Sequence, residues 1–220
     1  MDAIYLALFE TQIPDARDAL IKEMLGFMGI ENREFLLRRD TNGKPRLTVL
    51  DGSFVGYAQS HARGSQPMTS LIAMVKGREI GVDVEIWPLQ SAGPDFLKTV
   101  SCTEDRAALK LLGKSGRDAA IALWVIKEAA LKCTGEVMTD PLDLAVSIVS
   151  PDLFRIENSD CASSPHPQID VRLFELTSGQ MAGGITLLVG IALAGDAHTI
   201  MKKRREIHFM AENWVLAEVR

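Results

Sequence analysis

The sequence predicts an α+β fold, with strands and helices grouped rather than strictly alternating. Two extended runs, Leu71 to Val75 and Ile80 to Ile86, flank Lys76-Gly77-Arg78-Glu79 and read as a hairpin. Two helical patterns then follow one another, and three more extended runs come after them. That order argues against a chain of βαβ units.

Taken in order, Ile4 to Phe9 is a short apolar strand. From Asp15 to Met28, Ala16, Ala19, Leu20, Leu25 and Phe27 recur at helical spacing and predict an amphipathic helix. Phe35 to Arg39 reads as a strand, closed by the turn signal Asp40-Thr41-Asn42-Gly43, and Arg46 to Leu50 as its extended successor. Gly52 to Gly64 has little periodicity and predicts a loop carrying Ser60 and His61. The first of the paired helices starts near Ser101-Cys102-Thr103-Glu104, where Ser or Thr can cap it. The second runs from about Asp118 to Cys133 and stops at Gly135. Leu144 to Val149, Gln168 to Leu176 and Gly184 to Ala194 are strands, Ala162-Ser163-Ser164-Pro165 is a loop, and the chain closes in a helix and tail.

Composition narrows the class. A chain of 220 residues with 47% hydrophobic and 24% charged residues can bury a core. The net charge of −5 supplies no basic field, so no nucleic-acid partner is expected. The longest low-polarity run, Gly184 to Gly195, has 12 residues, short of the roughly 20 that a membrane helix needs. Cys102, Cys133 and Cys161 are odd in number and widely spaced, and Met1-Asp2-Ala3-Ile4 lacks the basic start of a signal peptide. Reduced thiols and a cytoplasmic location are the expectation.

Two constellations carry chemistry. In Gly81-Val82-Asp83-Val84-Glu85, strand alternation puts both carboxylates on one face and both valines on the other. Acids so placed repel unless a cation lies between them, and oxygen-only donors suit Mg²⁺. The competing account is a strand with two solvated acids. In the run from Trp124 to Lys132, Trp124, Glu128 and Lys132 are successive i,i+4 neighbours on a helix. An aromatic wall, a carboxylate and an ammonium then form one stripe; the plain alternative is a core Trp with a surface Glu–Lys pair.

Together these segments resemble the Sfp-type 4′-phosphopantetheinyl transferases (holo-acyl-carrier-protein synthase family), whose signature is G-[VI]-D-[VI]-E followed by W-x-x-K-E-[SA]-x-x-K. Asn42-Gly43-Lys44-Pro45 is similar to that family's GKP turn and Ser60-His61 to its SHS loop; Ser101 to Glu104 and Pro141-Leu142-Asp143 follow in the family's order. The resemblance implies a pseudo-dimer of two similar α+β halves, residues 1–80 and 81–220, with coenzyme A and Mg²⁺ in the cleft between them. It implies a monomer acting on an apo acyl or peptidyl carrier protein. By motif position, Asp83, Glu85 and Glu128 are the metal ligands and Glu128 and Lys132 the catalytic pair. Lys44, Ser60, His61, Lys127 and Lys132 are the contacts to coenzyme A. Two departures stand out: Ala62 replaces the last serine of SHS, and the front of the chain lacks the basic helical segment that holds the 3′-phosphate in longer relatives. Arg17, Lys22, Arg38 and Arg39 are the candidates to replace it. Two other activities fit the same residues: a non-catalytic binder of coenzyme A or carrier protein, and a Mg²⁺-dependent nucleotide pyrophosphate hydrolase.

Overall fold

The computed structural model describes residues 3–10, 15–62, 69–87, 95–112, 116–135, 140–158, 168–178, 186–194, 207–210 and 214–217. Strand β1 (Ile4–Glu10) is followed by helix α1 (Ala16–Phe27) and the strands β2 (Phe35–Arg39), β3 (Pro45–Val49), β4 (Val55–Ala62), β5 (Thr69–Lys76) and β6 (Ile80–Trp87). Next come the short helices α2 (Phe96–Val100) and α3 (Arg106–Leu112) and the long helix α4 (Gly116–Thr134). Strands β7 (Leu144–Ser150), β8 (Leu153–Asn158), β9 (Ile169–Ser178), β10 (Thr186–Ala194), β11 (Ile207–Met210) and β12 (Trp214–Ala217) complete the α+β architecture.

One sheet runs in the order β11-β1-β5-β4 and a second in the order β6-β10-β9-β8-β7, with β12 on the free part of β9; β2 and β3 form a separate pair. The two sheets share a strand order: β1 lies beside β5 and β5 beside β4 in the first, and β6 lies beside β10 and β10 beside β9 in the second.

Alternation along the strands explains the layers. Leu6, Ala73, Val82, Val84, Val189 and Ile191 share a core between the two sheets. The outer face of the first sheet, with Ala7, Ile72 and Met74, is covered by Ile21, Met24 and Leu25 of α1. The outer face of the second, with Val171, Leu173 and Leu188, is covered by α4. Order is therefore helix, sheet, sheet, helix.

Several expectations are corrected by this arrangement. Leu71–Val75 and Ile80–Ile86 do not form a hairpin: β5 pairs with β1 and β4, and β6 pairs with β10. The Gly77 turn, at φ 75°, carries the chain from one sheet to the other. The loop expected at Gly52–Gly64 is mostly strand β4, with Ser60 and His61 inside it. Helix α1 buries Ile21, Met24 and Leu25 and leaves Phe27 60% exposed, so its true apolar face is rotated from the one expected. Cys102, not Ser101 or Thr103, caps the turn before α3, in a box with Asp105. The expected terminal helix is replaced, among the described residues, by β11 and β12. The loop at 162–165 and Cys161 lie outside the described residues.

Glycine decides how closely α4 approaches. A Cβ on Gly81 would lie 2.0 Å from the Ala129 carbonyl oxygen and 2.4 Å from the Cys133 nitrogen, and one on Gly190 2.9 Å from the Val125 oxygen. Helix backbone thus rests directly on β6 and β10. Gly81→Ala is expected to push the helix away at a cost of about 1–3 kcal/mol, read as a fall in the urea midpoint. An unchanged midpoint would mean that the contact is looser than described.

Candidate functional site

The strand and the helix so joined carry the two sequence constellations. Val82 and Val84 face the core between the sheets, so Gly81, Asp83 and Glu85 face α4. In the first sheet the matching helix-facing positions of β1 are Tyr5, Ala7 and Phe9, all packed under α1. Of these two strands, β6 alone places acids there.

Asp83 is 4% exposed. Its Oδ1 accepts a hydrogen bond from the Lys132 ammonium at 2.5 Å and another from the Ser60 hydroxyl at 2.9 Å. Lys132 also donates to Ser60 Oγ at 3.0 Å, closing a three-residue ring across β4, β6 and α4. Asp83 Oδ2 is buried without a hydrogen-bond partner. Glu85 is half-buried two residues further along the same face.

A cavity of about 430 Å³ opens beside this ring. Glu128, Leu131, Lys132 and Gly135 line it from the helix side, and Arg39, Asn42, Gly43, Lys44, Pro45, Tyr57 and Gln59 from the β2–β4 side. Sequence spacing brings Glu128 and Lys132 here correctly. Trp124, one turn earlier, instead packs against Phe96 in a tilted pair, ring centroids 5.9 Å apart.

The turn from Asp40 to Lys44 is tightly built. Gly43 sits at φ 82°, and the Asp40 side chain accepts from the Asn42 and Lys44 backbone N–H groups, both at 3.0 Å. Partial burial alone would raise the Asp40 carboxyl. The Arg46 guanidinium and those two N–H groups outweigh it and hold the carboxyl below its usual range. Lys44 passes its stem along the cavity wall and turns its ammonium inward, to Glu79 Oε2 and the Cys133 carbonyl, both at 2.5 Å. Arg46 pairs with the same Glu79. Lys44 therefore lines the cavity with methylenes while neutralising the C-terminal end of α4.

His61 sits on the face of β4 opposite Ser60, exposed, with Nδ1 2.5 Å from Ser70 Oγ. Desolvation, and then the charges of Lys132 and Arg39, push its pKa below 6.5. The folded state then binds fewer protons than the unfolded one near that pH. Stability is full above about pH 6.5 and falls as pH drops through that value towards the lowered one. His61→Gln is expected to flatten the fall in urea midpoint between about pH 7.5 and 5.5; an equal fall in the variant would assign it to other groups.

Lys127 corrects an expectation. Its side chain is completely buried, and its ammonium donates to Asp105 Oδ2 at 2.7 Å and to the Val100 and Pro141 carbonyls, both at 2.8 Å. It faces away from the cavity, so it serves the core rather than a ligand. Asp105, which the sequence reading passed over, accepts in addition from the Val146 and Cys102 backbone N–H groups. The capping pattern Cys102-x-x-Asp105 was the available signal.

Of the basic replacements considered for the front of the chain, Arg39 lines the cavity and donates to the Gly43 carbonyl at 2.6 Å. Arg17 and Lys22 pair with Asp18 and Glu34 on the surface. Burial pushes the Cys102 and Cys133 thiols up to about 12, away from the thiolate form. No described helix is long and apolar enough to cross a membrane. A basic run in the sequence, Lys202-Lys203-Arg204-Arg205, lies outside the described residues.

Among the described residues no three acidic, histidine or cysteine side chains form a ready-made metal cage. The donor chemistry nevertheless fits a hard dication of the Mg²⁺ kind, which binds through one or two carboxylates and keeps water or phosphate oxygens elsewhere. The unpartnered Oδ2 of Asp83 is the observation that supports this fit.

Residues 79–174 match the family model of the 4′-phosphopantetheinyl transferase superfamily. The matched segment begins just before β6 and ends within β9, so it contains Asp83, Glu85, Glu128 and Lys132 but not Lys44, Ser60 or His61. No curated protein sequence significantly matches the chain.

Proposed function

We propose that this protein is an Sfp-type transferase that moves the 4′-phosphopantetheine group of coenzyme A onto a serine hydroxyl of an apo acyl or peptidyl carrier protein, with Mg²⁺ and release of 3′,5′-ADP. The observation that carries the reading is the Asp83–Lys132–Ser60 ring beside a cavity lined by Glu128 and the Gly43-Lys44-Pro45 turn. In this reading residues 1–80 and 81–220 are two halves of a cytoplasmic monomer.

The carrier serine oxygen bonds to the phosphorus bearing the pantetheine arm, and the bond from that phosphorus to the bridging oxygen breaks. Negative charge spreads over the phosphoryl oxygens, so positioning and charge neutralisation dominate the catalysis. Glu128, at the cavity wall, takes the serine proton. Lys132 stabilises the departing phosphate. Asp83, Glu85 and Glu128 are the residues to hold Mg²⁺, which when bound neutralises the pyrophosphate and favours departure of the nucleotide. The Lys44 stem and Pro45 form an apolar shelf suited to the adenine. Arg39, which lines the cavity, and His61 are suited to the 3′-phosphate, in place of the basic segment this chain lacks.

Intact-mass spectrometry of several apo carrier proteins, incubated with this protein, coenzyme A and Mg²⁺, tests the reading. A phosphopantetheine-sized gain that needs both the metal and Glu128 is expected. Coenzyme A bound with no carrier modified would favour the non-catalytic relative. Phosphate released without a carrier would favour the hydrolase.

A further inference from the structure

Asp83 meets a positive charge before any metal arrives. Its carboxylate is almost wholly buried, and such a group left alone carries a heavy desolvation cost. The Lys132 ammonium, 2.5 Å from Oδ1, removes that cost. Ser60 touches both partners and comes from the other sheet, so the orientation of the carboxylate is set independently of the helix that brings the lysine. The Lys132 side chain is itself 34% exposed and lines the cavity, so its ammonium can move outward without crossing packed core. Oδ2 keeps its lone pairs unused.

An ammonium and a dication repel one another and compete for the same carboxylate. We propose that Lys132 is the resident counter-ion of Asp83, and that a divalent cation binds by displacing its ammonium into the cavity while Ser60 keeps the carboxylate oriented. The inference rests on the transferase reading, in which the cavity then holds a pyrophosphate that the released ammonium meets. Metal loading and arming of the lysine are one event. A lysine that only contacted phosphate would leave the affinity for metal alone unchanged, and one that only supported the fold would not raise it.

The test uses the full chain without coenzyme A and Mn²⁺ alone as the probe, counted by the electron paramagnetic resonance of the free ion. Lys132→Gln is expected to bind Mn²⁺ about tenfold more tightly or better, the scale of losing a competing charged hydrogen bond. It should also melt lower without metal and recover with it. Lys132→Arg, which keeps the competing charge, should remain near the parent affinity. Unchanged or weaker Mn²⁺ binding by folded Lys132→Gln overturns the proposal, as does the absence of binding by both proteins.

A second measurement avoids the variant altogether. In the parent chain, the ¹⁵N-detected ammonium signal of Lys132, assigned by its loss in Lys132→Arg, should be protected without metal and lose that protection on adding Mg²⁺. A signal unmoved at saturating Mg²⁺ overturns the proposal. The two ideas fail separately. Displacement with no carrier modification discards the transferase and keeps the switch; transfer with unaltered Mn²⁺ affinity in Lys132→Gln does the reverse.

Discussion

Lys127→Met is expected to cost about 3–5 kcal/mol of stability, the scale of an uncompensated buried charge. The Lys127–Asp105 pair has no exposure on either side. Its members gather the Val100 and Pro141 carbonyls and the Cys102 and Val146 N–H groups, so one ion pair ties α2, the turn before α3, the turn before β7 and β7 itself to α4. Methionine fills the volume but leaves the Asp105 carboxylate buried with amide donors alone and takes the ammonium from the Val100 and Pro141 carbonyls, of which Pro141 keeps the Leu144 N–H. Adding Asp105→Asn should recover part of the loss, because the neutral amide no longer needs a cation. Urea unfolding of the two single variants and the double variant reads both effects. A loss below about 1 kcal/mol for Lys127→Met would mean that water reaches the pair.

Asp83→Ala and Glu128→Ala are each expected to lower carrier modification by at least about 10²-fold, the usual scale for removing a charge-stabilising group from such a reaction. The fold should survive both. In the metal-free chain the relief of acid–acid repulsion matters little for Asp83, because Lys132 already neutralises it. Alanine there removes two hydrogen bonds but also removes a buried oxygen that has no partner, and these effects oppose each other. Lys132 is exposed enough to remain solvated alone. Mass spectrometry of the carrier and a urea midpoint for each variant separate the two consequences. Full transfer by either variant would remove that residue from the site, and collapse of both midpoints would make the acids structural.

What the sequence disclosed follows from how local each signal is. Helix α4 was legible from its periodicity and from Gly135, which takes φ 80°. The acids of β6 were legible because alternation alone sorts Asp83 and Glu85 from Val82 and Val84. Pairing was not legible. Glu79 and Ile80 follow a turn that looks like any hairpin, and only the distant β10 decides that β6 belongs to another sheet. Strand β4 hides because both faces are used, one for Tyr57, Gln59 and His61 and the other for Ala58, Ser60 and Ala62, so no apolar alternation shows. Helix geometry could have separated Lys127 from Lys132. Position 127 lies off the 124–128–132 line, among residues that are otherwise apolar, and a lone lysine there demands a buried acid.

Strand β11 lies parallel to β1, at the edge of the sheet that the front of the chain builds. During synthesis that edge has no neighbour until residue 210 has left the ribosome, long after β1 has emerged. The inner face of the same sheet has no cover until β6, β9 and β10 arrive. Strands β1, β4 and β5 therefore wait for much later strands with an open edge and an apolar face exposed, a state prone to off-pathway pairing. Completion of the first sheet waits on strands made well after it. A stop codon placed just before Ile207 should impair accumulation of intact protein in the cell even though every residue assigned to the reaction has already been made.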